Sequence, residues 1–239
     1  MLFFLKTERR KYMIFVTGDT HRYDLARFEA FCRKQSGLTK QDFVIVAGDF
    51  GGVWSEKTLE SDLRPFSELP FTLLFVDGNH ENFDLLNAFP VETWMGGKIH
   101  RIRDDVLHLM RGQVFTLGRK SIFTFGGATS RDRDRRIEGL TWWPQELPSG
   151  EEFDEGIANL ARHGDRVDFV ISHSCSERAL MYLVSKRLCP SFALYPENGM
   201  LSAFEDRISF GHWYFGHYHV DAEPGGRYTA LLHEVIQIG

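Results

Sequence analysis

Met13-Ile14-Phe15-Val16-Thr17 runs into Gly18-Asp19-Thr20-His21. A run of apolar and β-favouring residues with no polar alternation is the pattern of a strand buried on both faces, as in a parallel sheet flanked by helices. The pattern returns twice. Phe43-Val44-Ile45-Val46-Ala47 leads into Gly48-Asp49, and Phe71-Thr72-Leu73-Leu74-Phe75-Val76 leads into Asp77-Gly78-Asn79-His80. Between these runs lie an amphipathic stretch from Asp24 to Gln35, with Leu25, Phe28 and Phe31 on one face, and a helical candidate near 57–69. Asp19, Asp49 and Asn79 stand thirty residues apart each time, the length of a βαβ unit. Right-handed crossovers place all three loops at one sheet edge, beyond the strand C-termini.

After residue 100 the character changes. Val106–Met110, Gln113–Leu117 and Ser121–Phe125, separated by Arg111-Gly112 and Gly118-Arg119-Lys120, read as antiparallel hairpins of a second or mixed sheet. An arginine-rich segment follows, with Arg131, Arg133, Arg135 and Arg136 interleaved with Asp132 and Asp134, and then Trp142-Trp143-Pro144. A helix is expected from about Glu151 to His163. Val167–Ser172 then forms a strand ending at His173. Helical pieces are expected near 176–187 and 200–209. Trp213-Tyr214-Phe215 ends at Gly216-His217-Tyr218-His219, and 228–238 closes the chain as strand. Residues 1–12 are read as an extension outside a single domain spanning 13–239.

The chain has 239 residues, 43% hydrophobic and 26% charged, which is globular composition and excludes a disordered or fibrous protein. A net charge of −5 speaks against a protein that coats nucleic acid by bulk charge. Three cysteines, Cys32, Cys175 and Cys189, form no C-x-x-C pair, so neither a disulfide framework nor a thiolate zinc site is expected. No apolar run approaches the roughly 20 residues a bilayer span needs, and the N-terminus lacks a signal-peptide pattern. The expectation is a cytoplasmic protein without membrane contact.

Five polar clusters directly follow strand-like runs: Asp19/His21, Asp49, Asn79/His80, His173 and His217/His219. Two carboxylates, one amide and several imidazoles make an O/N donor set suited to Mn, Fe or Zn rather than to Ca or a soft metal. A carboxylate can bridge two cations, and a pair about 3.5–4 Å apart can activate water and clamp a phosphoryl group for in-line displacement.

The order D-x-H, G-D, G-N-H-E, a strand ending in His, then G-H-x-H resembles the calcineurin-like metallophosphoesterase superfamily, over residues 18–219. The resemblance implies an α/β fold of two mixed β-sheets packed as a sandwich with helices on the outer faces. It implies two divalent cations, manganese first with iron or zinc as alternatives. Asp19, His21, Asp49 and His219 would hold one, and Asp49, Asn79, His173 and His217 the other. His80 corresponds to the histidine that assists the leaving group, and a hydroxide bridging the metals would be the nucleophile. The implied substrate is a small phosphomonoester or phosphodiester. Cleavage of DNA or RNA is the alternative, disfavoured by the net charge, and a metal-binding scaffold of weak activity is the other. Two departures stand out. Arg22 replaces the glycine that often follows the first histidine, and Gly52 stands where an Asp or Asn would orient His80. Arg22, Arg131, Arg133, Arg135 and Arg136 are the candidate substrate contacts, since guanidinium pairs its donors with anionic oxygens. The alternating charges of the 131–136 segment also suit a solvated loop. His100, His108, His163, His212 and His233 are expected to be structural.

Overall fold

The structure, a computed structural model, describes residues 12–22, 24–189 and 193–239. The expected extension therefore lies, apart from Tyr12, outside the described residues. The first strands are β1 (Ile14–Thr17), β2 (Phe43–Ala47) and β3 (Thr72–Val76). They pair in parallel, with α1 (Leu25–Lys34) and α2 (Leu59–Ser67) as crossovers. Their residues alternate between two apolar environments, which explains the missing polar alternation. Val16, Ile45 and Leu74 face inward to a second sheet. Phe15, Val44 and Phe75 face outward to Phe28, Leu63 and Phe66 of the helices.

A short helix α3 (Phe83–Leu86) leads to β4 (Val91–Trp94), β5 (Gly97–Arg103) and β6 (Val106–Leu109). β6 pairs with β3 in parallel and with β5 antiparallel. The second sheet begins with the β7 (Gln113–Leu117) and β8 (Lys120–Phe125) hairpin. It continues in parallel through β9 (Arg166–Ser172) and β10 (Ser209–Phe215). α4 (Gly150–Arg162), α5 (Glu177–Ser185) and α6 (Pro196–Arg207) cover its outer face, where Leu160, Leu183 and Phe204 pack on Phe123, Phe125 and Trp213. α4 starts at a reciprocal cap: Ser149 Oγ accepts from Glu152 N at 3.2 Å, and Glu152 Oε2 accepts from Ser149 N at 2.7 Å.

The chain ends with β11 (Ala222–Gly225), β12 (Tyr228–Ala230) and β13 (Val235–Gln237). The sheets have seven and six strands, in the orders β13-β1-β2-β3-β6-β5-β4 and β11-β12-β10-β9-β8-β7. The expected α/β sandwich of two mixed sheets with helices outside is what forms.

Two local expectations are corrected. No hairpin joins β6 to β7, because at Arg111-Gly112 the chain passes from one sheet to the other. Arg111 is buried there, bonded to Asp77 through Nε at 2.8 Å, and Gly112 has φ of 69°. The closing segment is not one strand either: β12 belongs to the second sheet and β13 pairs with β1 in the first. Asp221 fixes the passage between them by accepting from the backbone N–H groups of Leu232, His233 and Glu234. Cys175 and Cys189 are buried and Cys32 is half-buried.

Candidate metal centre

All five polar clusters meet at one edge. The loops after β1, β2 and β3 bring Asp19, His21, Asp49, Asn79 and His80 from the first sheet, while those after β9 and β10 bring His173, His217 and His219 from the second. The loops are tied together by backbone. Thr20 and His21 donate to Asp49 O at 3.2 and 2.8 Å, and Gly216 donates to His173 O at 3.0 Å. Gly48, at φ of 92°, permits the closest approach, since a Cβ there would lie 2.0 Å from His173 Nδ1.

Asp19, His21, Asp49 and His219 each offer a ligand atom within 4.8 Å of the others. His21 Nε2 and His219 Nε2 face each other at 3.2 Å. Asp19 Oδ1 accepts from His217 N at 2.9 Å, while its buried Oδ2 lies 3.1 Å from His219 Nε2 and 3.8 Å from His21 Nε2. A buried carboxylate costs free energy unless positive charge or donors reach it, and here two imidazoles converge on the same oxygen.

The second group surrounds Asn79 Oδ1, which lies 3.1 Å from both His173 Nε2 and His217 Nδ1. His173 Nε2 is also 3.3 Å from Asp49 Oδ1. Its other nitrogen, Nδ1, lies 2.9 Å from Ala47 O, so donation there fixes the ring and directs Nε2 into the site. Four of these seven residues, His21, Asp49, His217 and His219, hold left-handed backbone, as does Arg22. Such conformations cost on the order of 1–3 kcal/mol each in residues other than glycine and cluster where a side chain must be aimed.

The electrostatics follow from the two buried carboxylates. Burial alone would raise Asp49, but His173 most of all, then His80 and His21, hold it well below the ordinary carboxylate range. Burial opposes a charge on His173, yet Asp49 and Asp19 outweigh it and push that imidazole up to about 10. Burial, reinforced by His173, lowers His217 to about 3. The centre therefore draws in positive charge. Its buried carboxylates and the imidazoles converging on them make an O/N donor set that fits divalent cations.

His80 stands beside this group. Its backbone N–H donates to Asp49 Oδ1 at 2.7 Å, and its Nε2 is 4.0 Å from Asp49 Oδ2. Burial first, and then Arg136, lower its pKa against the pull of Asp49. The Arg136 guanidinium spans the ring, with Nη1 3.2 Å from Nδ1 and Nη2 3.3 Å from Nε2, and Asp132 anchors its Nε at 2.8 Å. Gly52 has no side chain to offer His80, and a Cβ there would meet the Phe50 ring at 2.5 Å.

The sequence pattern of the calcineurin-like phosphoesterase family matches residues 12–221. The chain belongs to that family. That family typically depends on two metal ions. Among solved structures, the fold is similar to that of a protein from Staphylococcus aureus described as a 5'-nucleotidase, in complex with alpha-ketoglutarate. The TM-score is 0.50 and the identity 18%, with 93% of this chain and 48% of that chain covered. The chain thus spans about half of that protein. No curated protein matches it. No helix among the described residues is long and apolar enough to cross a membrane.

The arginines divide. Arg136 reaches His80, and Arg131 is exposed but near enough to His217 to help lower its pKa. Arg133 and Arg135 lie exposed on a 3-10 turn. Arg22 turns to Asp62 of α2 at 2.7 Å. His212 bonds Thr229 within the second sheet, and His100 and His108 pair with each other behind Asp77. Trp143 packs under its loop, donating to Asp84 at 2.8 Å.

Sequence reasoning missed Arg27, whose Nη2 donates to Asp19 O at 2.8 Å. It also left unassigned the grip of Glu81 on the Phe50 and Gly51 N–H groups beside Asp49. Glu81 sits in the G-N-H-E motif, next to His80. Arg27 falls within a helix and carries no signal.

Proposed function

We propose that this phosphoesterase uses two divalent cations to hydrolyse a small phosphomonoester or phosphodiester. One is held by Asp19, His21, Asp49 and His219, the other by Asp49, Asn79, His173 and His217. The observation that carries this reading is the position of Asp49 between the two groups, with Oδ1 3.3 Å from His173 Nε2 and Oδ2 3.8 Å from His21 Nδ1. When bound, the cations would supply an activated water and neutralise charge on the phosphoryl oxygens, manganese being the first choice and iron or zinc acceptable to the same donors.

The protein's own groups do the rest. His173 and His217 bring the second sheet to the reacting centre. His80, beside Asp49 but outside the ligand set, takes the role of giving a proton to the leaving oxygen. Arg136 places a fixed positive fork at the same edge, where it would bind an anionic oxygen and hold His80 in place. Glu81 holds the Asp49 loop, so the carboxylate is aimed before substrate arrives.

The test is turnover of an aryl phosphate with Mn²⁺, beside a panel of nucleoside monophosphates, sugar phosphates and single-stranded nucleic acid. The S. aureus protein's description as a 5'-nucleotidase makes nucleoside monophosphates the first class to assay. Asp49→Ala is expected to lose activity together with cation binding. His80→Ala is expected to keep both cations and lose about 10²–10⁴-fold in kcat. A fully active Asp49→Ala protein that still binds two cations would overturn the assignment, and preferential cleavage of nucleic acid would move it to a nuclease.

A further inference from the structure

Asn79 is the one amide in the proposed ligand set, and an amide has two ends of nearly equal size, of which only the oxygen can face a cation. Its Nδ2 donates to Ser130 Oγ at 3.1 Å. Ser130 Oγ in turn donates to Glu146 Oε2 at 2.6 Å, and Ser130 N donates to Glu146 Oε1 at 2.8 Å. Asn79, Ser130 and Glu146 are 6%, 3% and 1% exposed, so water does not stand in for any of these bonds.

The direction of the chain follows from donor counting. An ionised carboxylate only accepts, so it takes the single hydroxyl proton of Ser130, and the oxygen then has only lone pairs to offer Asn79. The amide must meet those lone pairs with its NH₂, which turns Oδ1 toward His173 and His217. Burial raises the Glu146 pKa, and the two Ser130 bonds oppose that rise and favour the charged form. The preceding residue is gripped in the same way but toward nothing in the site: Thr129 N and Oγ1 donate to Glu197 at 3.0 and 2.9 Å.

The geometry points to Glu146 and Ser130 as positioning residues that set the orientation of the Asn79 amide and thereby create the second cation site. The inference rests on the ligand reading above. It adds a dependence on two residues that touch neither cation nor substrate. A glutamine at 146 can offer an NH₂ and reverse the chain, so charge at 146, and not its volume, is what the relay requires.

Calorimetric titration of the metal-stripped protein with Mn²⁺, with the spin-coupled resonance of a manganese pair as a second readout, tests this. Ser130→Ala and Glu146→Gln are expected to weaken the second equivalent about 10–100-fold while leaving the first unchanged. Ser130→Thr, which keeps the hydroxyl, should restore it. Glu197→Gln loosens the neighbouring clamp without touching the relay and should bind both equivalents normally. Asn79→Ala separates the two levels. If it keeps both equivalents, the ligand reading itself fails. If it loses one while Ser130→Ala and Glu146→Gln keep two at native affinity, the relay fails. Equal weakening in Glu197→Gln would also overturn the relay, assigning the effect to loop order. Glu146→Gln, nearly isosteric, carries the test should Ser130→Ala not fold.

Discussion

The Arg136 guanidinium lies against both nitrogens of the His80 ring. A carboxylate would draw the histidine toward its charged form, whereas a guanidinium opposes that and offers paired donors to a phosphoryl oxygen. Hydrogen bonds to charged groups contribute about 1.5–3 kcal/mol, so Arg136→Ala is expected to lower kcat/KM about 10–100-fold without changing cation stoichiometry. Arg136→Lys should recover only part of this, because an ammonium supplies charge without the fork. Steady-state kinetics on one aryl phosphate check it, and a native kcat/KM in Arg136→Ala would remove the residue from the site. The ligand candidates were legible because metal binding restricts residue type and they directly follow strand-like runs. Arg136 was legible only as one of five arginines, since sequence does not show which side chain folds back. Ser130 and Glu146 left no signal, because their relation is a contact across 16 residues of irregular chain.

At the level of elements, the three βαβ units could be read because strands buried on both faces and a thirty-residue spacing leave little choice of topology. The passages between sheets could not. Apolar strands separated by two residues look like a hairpin whether the chain reverses or crosses over, and at 111–112 the deciding factor is a buried ion pair. Arg111 meets Asp77 Oδ2 through Nη2 at 2.5 Å and Glu152 at 3.0 Å, while His108 Nε2 lies 3.1 Å from Asp77 Oδ1. Asp77 opens the loop that carries Asn79 and His80, so this pair ties the sheet crossing to the site. Removing one member of a buried pair leaves an uncompensated charge, typically at a cost of about 3–5 kcal/mol. Arg111→Ala is expected to lose stability of that order in urea unfolding, and a loss below about 1 kcal/mol would mean that His108 suffices for Asp77. Burial alone would raise Asp77, but Arg111, and then His108, hold it far below the ordinary range. A depressed folded pKa means its contribution is complete above pH ~4 and is lost as pH falls through the folded value. Asp77→Asn should flatten that acid limb.

For the whole molecule, the site lies on the seam between the two sheets. Asp19, Asp49 and Asn79 come from the seven-stranded sheet, and His173 and His217 from the six-stranded one. The net charge of −5 speaks for the surface alone, because two divalent cations bring four charges against the two of Asp19 and Asp49. Cations bound there would cross-link the sheets and bind only the folded chain, so they must raise its stability by mass action. One site at a hundredfold excess over Kd gives about 2.7 kcal/mol. For a chain of this size each kcal/mol moves the melting temperature by about 2–4 °C. Chelation is therefore expected to lower the melting temperature by roughly 5–10 °C per site lost. Mn²⁺ should restore it in proportion to the logarithm of its concentration. Asp49→Ala, lacking the residue common to both ligand groups, should melt at one temperature with or without chelator. His80→Ala should retain the full shift, since its ring is outside the ligand set. A native protein whose melting temperature ignores both chelator and Mn²⁺ would show that the seam closes without cations, and the two-cation reading would fall with it.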